Sequence, residues 1–527
     1  MNLRDHYSSI QLIIEKKNIS ETAINDMKLL NNDSVIRVIG VVSKKFSKHK
    51  EINDIEIKIN FLEVLSYSNV FPFILDNKTD SNEFLKMKYR YLDLRNKKKK
   101  HNLIFRYNLI KKIRNYLDLY KFLEIETPVL VKPSLEGARE FVVPSRIYSG
   151  KFYSLQQSPQ IFKQLLMMSS FDRYYQIVKC FRDEDLRSDR QPEFTQLDCE
   201  LSFVTRKNIL IIFEMMIREL FYFFKGFEFK KFNTISYKDA ICNYGTDKPD
   251  LRFEMKFVEL NFLFKNSNFK IFDKSEMILG FFIKKHHNYN IKKIFELEKF
   301  IKDSQFKIDG FFYIKYELDG SFKSSFSDFF TLNDLNNFFS VLGLEKGDIL
   351  IITSGNKDPL YSLMSDLRLK LGNDLNLISK EKFSPLWVLD FPLFKFDNIE
   401  KKYTSVHHPF TSPLNNINLL DSEPLNIISN SYDLVVNGIE LGGGSIRIDN
   451  ANLQRDVFKI LGFSDKEIDN KFGFFLNAFK YGVPPHGGIA FGIDRFCALI
   501  NQSKYIRDFI AFPKNNSAFD LMTNSPS

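Results

Sequence analysis

The chain has 527 residues, 44% of them hydrophobic and 27% charged, with a formal net charge of +10. At about 150 residues per domain this length predicts three or four domains, and the basic balance suits a polyanionic partner without identifying one. The four cysteines (Cys180, Cys199, Cys242, Cys497) make no CxxC pair, which excludes a disulfide framework and favours a reducing, cytoplasmic compartment; no secretory signal pattern opens the chain, and no apolar run approaches the ~18 residues of a spanning helix.

The first 75 residues alternate like a small β unit. Strand-like runs are SSIQLIIE (8–15), SVIRVIGVVSKK (34–45) and IEIKINFLEVLSYS (55–68), with a short helix SETAINDMKLL between the first two and Ser20 at its N-cap position. The connector KYRYLDLRNKKKKH (88–101) follows. Its four consecutive lysines read either as a solvated face or as a basic hinge beside a nucleic acid. A helical stretch from 102 leads into FLEIETPVLVKPSLEGAREFVVPSR. Residues 251–378 carry no dense chemical motif, and Phe-rich strands there alternate with helices such as DLNNFFSVLGL, which reads as an inserted α+β domain. Chemistry resumes at PLWVLDFPLF. The expected domains are therefore 1–76, a hinge over 77–101, one catalytic domain in two parts (102–250 and 379–527), and the insertion between them.

In CFRDEDLRSDRQPEFTQLDCE (180–200) four acids and three arginines crowd the ten positions from Arg182, and a strand then returns. On that strand Leu197, Cys199 and Leu201 face one way and Gln196, Asp198 and Glu200 the other. A polar strand face looks onto solvent, as a hairpin with surface ion pairs, or onto a lined site. In YSLQQSPQIFKQLLMM (153–168) Ser158 can cap and Pro159 suits the first helical position, with Gln160 and Lys163 sharing a face and Ile161, Leu165 and Met168 on a core face. A lysine in an early helical turn opposes the helix dipole, a local conflict expected where a site overrides propensity.

In SYDLVVNGIELGGGSIRI (431–448) Asp433 and Glu440 flank an apolar run and three glycines precede Arg447. Two acids able to hold a hard cation through oxygens make this a candidate Mg²⁺–phosphate site. PPHGGIAFGIDRF (484–496) reads as a Gly-rich turn leading to Arg495 at a helix start, a ready anion site. Neither G-x-x-x-x-G-K-[ST] nor G-x-G-x-x-G is present. His407 and His408 are adjacent, so a polar wall is expected of them rather than a shared metal.

Together these stretches resemble the class II aminoacyl-tRNA synthetases, specifically the bacterial-type aspartyl-tRNA synthetases. The likeness runs from about residue 3 to Ser527. The family's first motif is similar to FLEIETPVLVKPSLEGARE, its second to FRDEDLRSDRQPEFTQLD and its third to GIAFGIDR. The resemblance implies a multidomain α+β fold: an antiparallel-sheet catalytic domain, an N-terminal OB-fold that reads the anticodon, and an inserted domain in the bland region. It implies a homodimer with Pro128 at the interface, and ATP, Mg²⁺, L-aspartate and tRNA-Asp as ligands. The family's barrel opens with two strands before the point that NLRD (2–5) echoes, so the OB-fold is expected in truncated form here.

By the same resemblance Arg182 binds the α-phosphate of ATP and the substrate α-carboxylate, and Glu184 accepts from the adenine amino group. Asp183 and Gln191 lie in the ATP site. Phe194 stacks on adenine, with Arg495 on the other face of the base and reaching the γ-phosphate, and the run Gly492, Ile493, Asp494, Arg495 closes that site. Asp433 and Glu440 hold Mg²⁺. Lys163 and Arg447 meet the aspartate side-chain carboxylate, with Gln160 and His407 completing the wall, while Glu136, Asp198 and Ser158 orient the α-ammonium. Two cations aimed at one small group favour carboxylate over amide, since asparagine would leave them unpaired. Gln11 corresponds to an anticodon contact, and Arg187 and Arg190 are assigned to the tRNA acceptor end. Competing readings are an enzyme that also charges tRNA-Asn, a catalytically silent RNA-binding paralogue, and an amino-acid ligase needing no tRNA. Arg182, Lys163 and Arg495 being all present speaks against the silent paralogue.

Overall fold

The computed structural model describes the chain except residues 6–7, 16–18, 46–54, 76–81, 134–138, 266–268, 286–288, 326–339 and 416–418. Two units result, Met1–Asn96 and Lys97–Ser527.

In the first unit a four-stranded sheet takes the order Asn2–Arg4, Ser9–Ile13, Ile55–Ser66, Val35–Lys44. Ser9–Ile13 runs parallel to Ile55–Ser66, and the other pairs are antiparallel. The helix Glu21–Lys28 begins at Ser20, whose hydroxyl accepts from the Ala23 N–H at 3.3 Å. Leu12, Ile59 and Leu62 form its small core. Gln11 sits half-buried in the second strand, opposite Asn2 and Glu56.

The second unit opens with the helix Lys97–Leu119, so the lysine run starts this helix rather than preceding it. Lys99 is tied to Asp508, which offsets the cost of cations near a helix N-terminus. The main sheet has eight strands in the order Asn233–Ser236, Pro385–Leu389, Ser431–Val436, Ile439–Ile446, His486–Gly492, Glu193–Ser202, Arg173–Phe181, Leu123–Glu124. The six central strands pair antiparallel, and each edge strand runs parallel to its neighbour. One sheet face is apolar: Leu197, Cys199 and Leu201 pack with Ile489, Phe491, Trp387 and Leu434 against the helices Arg206–Lys225 and Ile493–Ile500. The period-two expectation for the return strand holds, and its polar face looks away from this core.

A separate five-stranded sheet is built from residues 258–355, in the order Val258–Glu259, Met277–Ile283, Ile349–Gly355, Gly310–Tyr316, Phe322–Ser324. It carries an apolar cluster on either side, one including Phe281, Ile351 and Leu363, the other Phe272, Ile314 and Leu350. DLNNFFSVLGL falls largely outside the described residues. Two glycine-rich segments differ from expectation. PPHGGIAFGIDRF supplies the central strand His486–Gly492 instead of a turn, and Gly442, Gly443 and Gly444 lie within the strand Ile439–Ile446. Glycine is needed because neighbouring strands and side chains approach closely: a Cβ on Gly444 would lie 2.0 Å from the Gly488 carbonyl oxygen.

Candidate functional site

Cross-strand partners share a sheet face, and the register therefore draws the site floor. One row across four strands reads Asp198, Ala490, Gly443, Asp433; the next reads Glu200, Gly488, Ser445, Ser431. Acids stand at both ends of the first row and at one end of the second, with small residues filling the rest. A Cβ on Gly443 would lie 2.2 Å from Asp433 Oδ1, and one on Gly488 would lie 1.9 Å from Glu200 Oε2, so the glycines leave room for the carboxylates. Above this floor is a cavity of about 760 Å³.

At one end of the cavity four buried charges interlock. Lys163 projects from the helix Gln160–Met168, with Nζ 2.9 Å from Asp198 Oδ1 and 3.2 Å from Glu200 Oε2. Arg447 grips Glu200 through two parallel bonds, Nε to Oε1 at 2.9 Å and Nη2 to Oε2 at 3.1 Å, and donates to Ser445 Oγ at 2.7 Å and to His408 Nε2. Burial raises the Glu200 carboxyl, but Arg447 and Lys163 outweigh it and hold the group at about 2. Burial, against the pull of Lys163, leaves Asp198 above its ordinary range. Burial and then Arg447 push His408 well below the usual histidine range, so it stands neutral beside the guanidinium. One buried polar atom of this end, Gln160 Nε2, has no hydrogen-bond partner among the described residues.

The other end is framed by Arg182, which follows the strand Arg173–Phe181, and by Phe194 on the return strand; the guanidinium stands 5.1 Å over the Phe194 ring. Among the described residues Arg182 forms no ion pair. Arg495, in the first turn of Ile493–Ile500, donates to the Glu440 carbonyl at 3.2 Å and pairs with Asp189 at 3.2 Å. Glu440 accepts from Lys248 Nζ at 2.8 Å, and Asp433 Oδ1 lies 3.1 Å from His407 Nε2. Burial lowers His407, but Asp433 more than offsets this and leaves the imidazole above its ordinary range. Burial, opposed by His407, leaves Asp433 raised, with Glu440 adding repulsion.

Ser158, Gln160, Lys163, Arg182, Glu184, Gln191, Phe194, Asp198, His407, Asp433, Glu440, Arg447, Gly492, Asp494 and Arg495 all line this cavity, gathered from five stretches of the chain. Several expectations need correction. Ser158 does not cap its helix: Pro159 occupies the N-cap without a side-chain bond, which leaves the Ser158 side chain at the cavity wall. Ile493 is fully buried in the apolar core and contributes no side chain to the cavity. Asp494 reaches the wall, but its carboxylate is committed to Arg106 and to the Thr195 N–H at 2.9 Å. Gln191 is likewise engaged, both amide atoms clasping the Lys514 backbone at 2.9 and 3.0 Å.

Asp183 is exposed outside the cavity, its backbone bridged to Arg139. Arg190 lies in the cavity wall and binds Glu184 at 2.5 Å, while Arg187 is exposed. The histidine pair follows the strand Lys402–Ser405 on a loop, so both rings can line one cavity instead of opposite strand faces. Glu136 lies outside the described residues. Sequence reasoning passed over Glu200 as a partner of Arg447, and it passed over Asp247 and Lys248. The i, i+2 spacing from Asp198 marks the first, and the turn-rich GTDKPD (245–250) is the only local sign of the others.

Asp433 and Glu440 fit a divalent cation on donor chemistry. Both are oxygen donors on one cavity wall, and a cation there would offset the burial that raises Asp433 and the smaller repulsion from Glu440. Among the described residues no group of three or more His, Cys, Asp or Glu is placed to hold a metal. A Mg²⁺ at this wall would therefore complete its shell from water and substrate phosphates, its usual habit.

A family profile described as tRNA synthetases class II (D, K and N) matches residues 82–516. The chain belongs to this family. Aspartate–tRNA ligases are close in sequence: that of Azobacteroides pseudotrichonymphae is 48% identical and that of Amoebophilus asiaticus 46%, each over all of this chain and 91% of the relative. The asparaginyl-tRNA synthetase of Pyrococcus horikoshii, solved with asparaginyl-adenylate, shares the fold with a TM-score of 0.60 at 17% identity, over 97% of this chain and 90% of that one. The fold is therefore that of a multidomain α+β class II synthetase, as the motifs led one to expect, and the chain is an ATP-dependent aminoacyl-tRNA ligase.

Proposed function

We infer that the chain is an aspartate–tRNA ligase, which joins L-aspartate to ATP as aspartyl-adenylate and passes the aspartyl group to the terminal ribose of tRNA-Asp. The observation that carries the substrate choice is the buried charge quartet beside the unpartnered Gln160 Nε2. Gln160 Nε2 wants an acceptor, and the Asp198 carboxylate can share its charge between Lys163 and a substrate ammonium. Beside Lys163 and Arg447 these needs match a small amino acid with an ammonium and a second carboxylate. A lysine side chain would bring like charge, and asparagine would forgo the charge-assisted bonds that a second carboxylate makes with Lys163 and Arg447.

The chemistry requires no side-chain nucleophile. An oxygen of the aspartate α-carboxylate attacks the α-phosphorus, the bond to the β-phosphate oxygen breaks, and pyrophosphate leaves; a ribose hydroxyl then attacks the carbonyl carbon and AMP departs. Arg182 is the residue we assign to the α-phosphate and α-carboxylate. It faces the cavity without an acid partner among the described residues, and Phe194 holds its plane, so its fork is available as charge builds. Arg495, fixed by Asp189 and the Glu440 carbonyl, suits the polyphosphate. Mg²⁺ bound by Asp433 and Glu440 would neutralise phosphate charge.

A homodimer is supported by the exposed apolar side chains Leu123, Val129, Leu130, Val142, Phe152 and Tyr153 around the small sheet of residues 130–155, beside exposed Pro128. All four cysteines are free, which suits the cytoplasm. Aspartate-dependent ATP–pyrophosphate exchange, followed by charging of tRNA-Asp and tRNA-Asn side by side, tests the assignment. Absence of exchange with aspartate and Mg²⁺ present would overturn it.

A further inference from the structure

Glu440, one of the two carboxylates suited to a divalent cation, already carries a cation from this chain. Lys248 Nζ donates to its Oε2 at 2.8 Å, while Arg495 Nη1 stands at 3.8 Å. Lys248 lies in the turn-rich stretch just before the inserted segment, and that stretch is held from two sides. Arg368, on the helix Lys357–Asp374 of the inserted segment, donates to the carbonyls of Asp250, Phe253 and Met255, each at 2.9 Å, with its guanidinium 3.9 Å from the Phe253 ring centre. On the other side Gly438, at φ +81°, turns the hairpin that bears Glu440. A Cβ there would lie 3.4 Å from Asp250 Cβ and 3.7 Å from the Lys248 carbonyl oxygen. The Lys248 backbone is thus packed against the turn that presents Glu440, and the side chain has a fixed base from which to reach into the cavity. Asp247, Asp433, His407 and Asp189 are among the other charged or titratable groups that line the cavity, with Arg182, Glu184 and Arg190.

We propose that Lys248 is a resident stand-in for the divalent cation: it neutralises Glu440 in the nucleotide-free chain and, once displaced, turns its ammonium to the ATP phosphates. Three features support this. The pair is only partly exposed, at 39% for the Lys248 side chain and 31% for Glu440, so the carboxylate gains from a counter-ion at all times. A lysine is a compact point charge on a flexible stem, able to swing between a carboxylate and a phosphate without losing its anchor. The ammonium also lies on the same cavity wall as Arg495, the residue assigned above to the polyphosphate.

The proposal rests on the ATP-site reading above, and its test separates the two. Mn²⁺ alone is titrated into the nucleotide-free full chain and followed by electron paramagnetic resonance. Lys248→Met removes the competing cation and should tighten Mn²⁺ roughly two- to fivefold, the scale of a partly exposed ion pair. In exchange assays the same variant should raise the KM for ATP several-fold and leave the KM for aspartate unchanged, while Lys248→Arg should recover most of the ATP KM. Mn²⁺ affinity unchanged or weakened in Lys248→Met, or an unaltered ATP KM, would overturn the proposal. If the wild-type chain shows no exchange with aspartate, the activity reading fails, and the Mn²⁺ titration still judges Lys248.

Discussion

Glu200 makes the most demanding test of the charge quartet, because its burial and its partners set opposite demands. Its carboxyl is fully buried, receives two bonds from Arg447 and lies 3.2 Å from Lys163. The fall from an ordinary 4.5 to about 2 is worth about 3 kcal/mol of folding free energy. A carboxyl whose folded value is depressed contributes that stability above pH 4.5 and loses it as pH falls through about 2. Glu200→Gln keeps the shape but leaves Arg447 without its anion, a loss of about 3–5 kcal/mol for one partner of a buried pair. The single tryptophan, Trp387, is buried on the same eight-stranded sheet and reports its unfolding by fluorescence. Urea titrations at neutral pH should separate wild type and variant by about 3 kcal/mol, and a pH series should show that gap closing between 4.5 and about 2. Denaturation curves that stay equally far apart across this window would refute the assignment of the depressed group to Glu200. The same substitution leaves the pocket one charge more positive, so aspartate should bind the surviving folded protein at least as tightly as it binds wild type.

Arg182→Ala should abolish aspartate-dependent pyrophosphate exchange, a drop of 10²-fold or more by analogy with lost transition-state donors, with the melting temperature little changed because the side chain forms no ion pair among the described residues; wild-type exchange rates would contradict its role. Lys163→Ala should raise asparagine activation relative to aspartate, read as the ratio of kcat/KM for the two amino acids. An unchanged ratio would count against the charge-based pocket. Gly488→Ala should destabilise the sheet by about 2 kcal/mol or more through overpacking, since the new methyl would stand 1.9 Å from Glu200 Oε2 and 2.2 Å from the Cys199 carbonyl oxygen. A variant melting like wild type would show that Glu200 can retreat at no cost.

Local periodicity made the return strand readable. Gln196, Asp198 and Glu200 alternate with Leu197, Cys199 and Leu201, and a strand can obey that pattern only by separating a core face from a site face. Lys163 was legible for a related reason, its charge being at odds with an early helical turn. What could not be read locally was pairing across the chain. Arg447 was seen as a ligand for substrate, yet it meets Glu200 first, and Lys248 reaches Glu440 from 192 positions away. Glycine is ambiguous in the same way. In sequence Gly442 to Gly444 and Gly487 to Gly488 punctuate like turns, whereas their use here depends on how closely a neighbouring strand or carboxylate approaches. Asp494 and Gln191 line the cavity as expected, but their commitment to Arg106, Thr195 and Lys514 was not legible in the sequence, because proximity to a site and availability to a ligand differ.

The parallel pairing of Asn233–Ser236 with Pro385–Leu389 also bears on how the chain assembles. These two strands are separated in the chain by the whole inserted segment, so the edge of the main sheet closes only after the intervening residues have been brought back on themselves. Loop closure grows only logarithmically with length, and a segment that folds on its own sheet and clusters shortens the effective loop further. During synthesis residues 258–355 emerge before Trp387 does, so their sheet can form before Pro385 takes its place. Changes in the insertion's length would then alter the timing of sheet completion far more than the stability of the finished sheet.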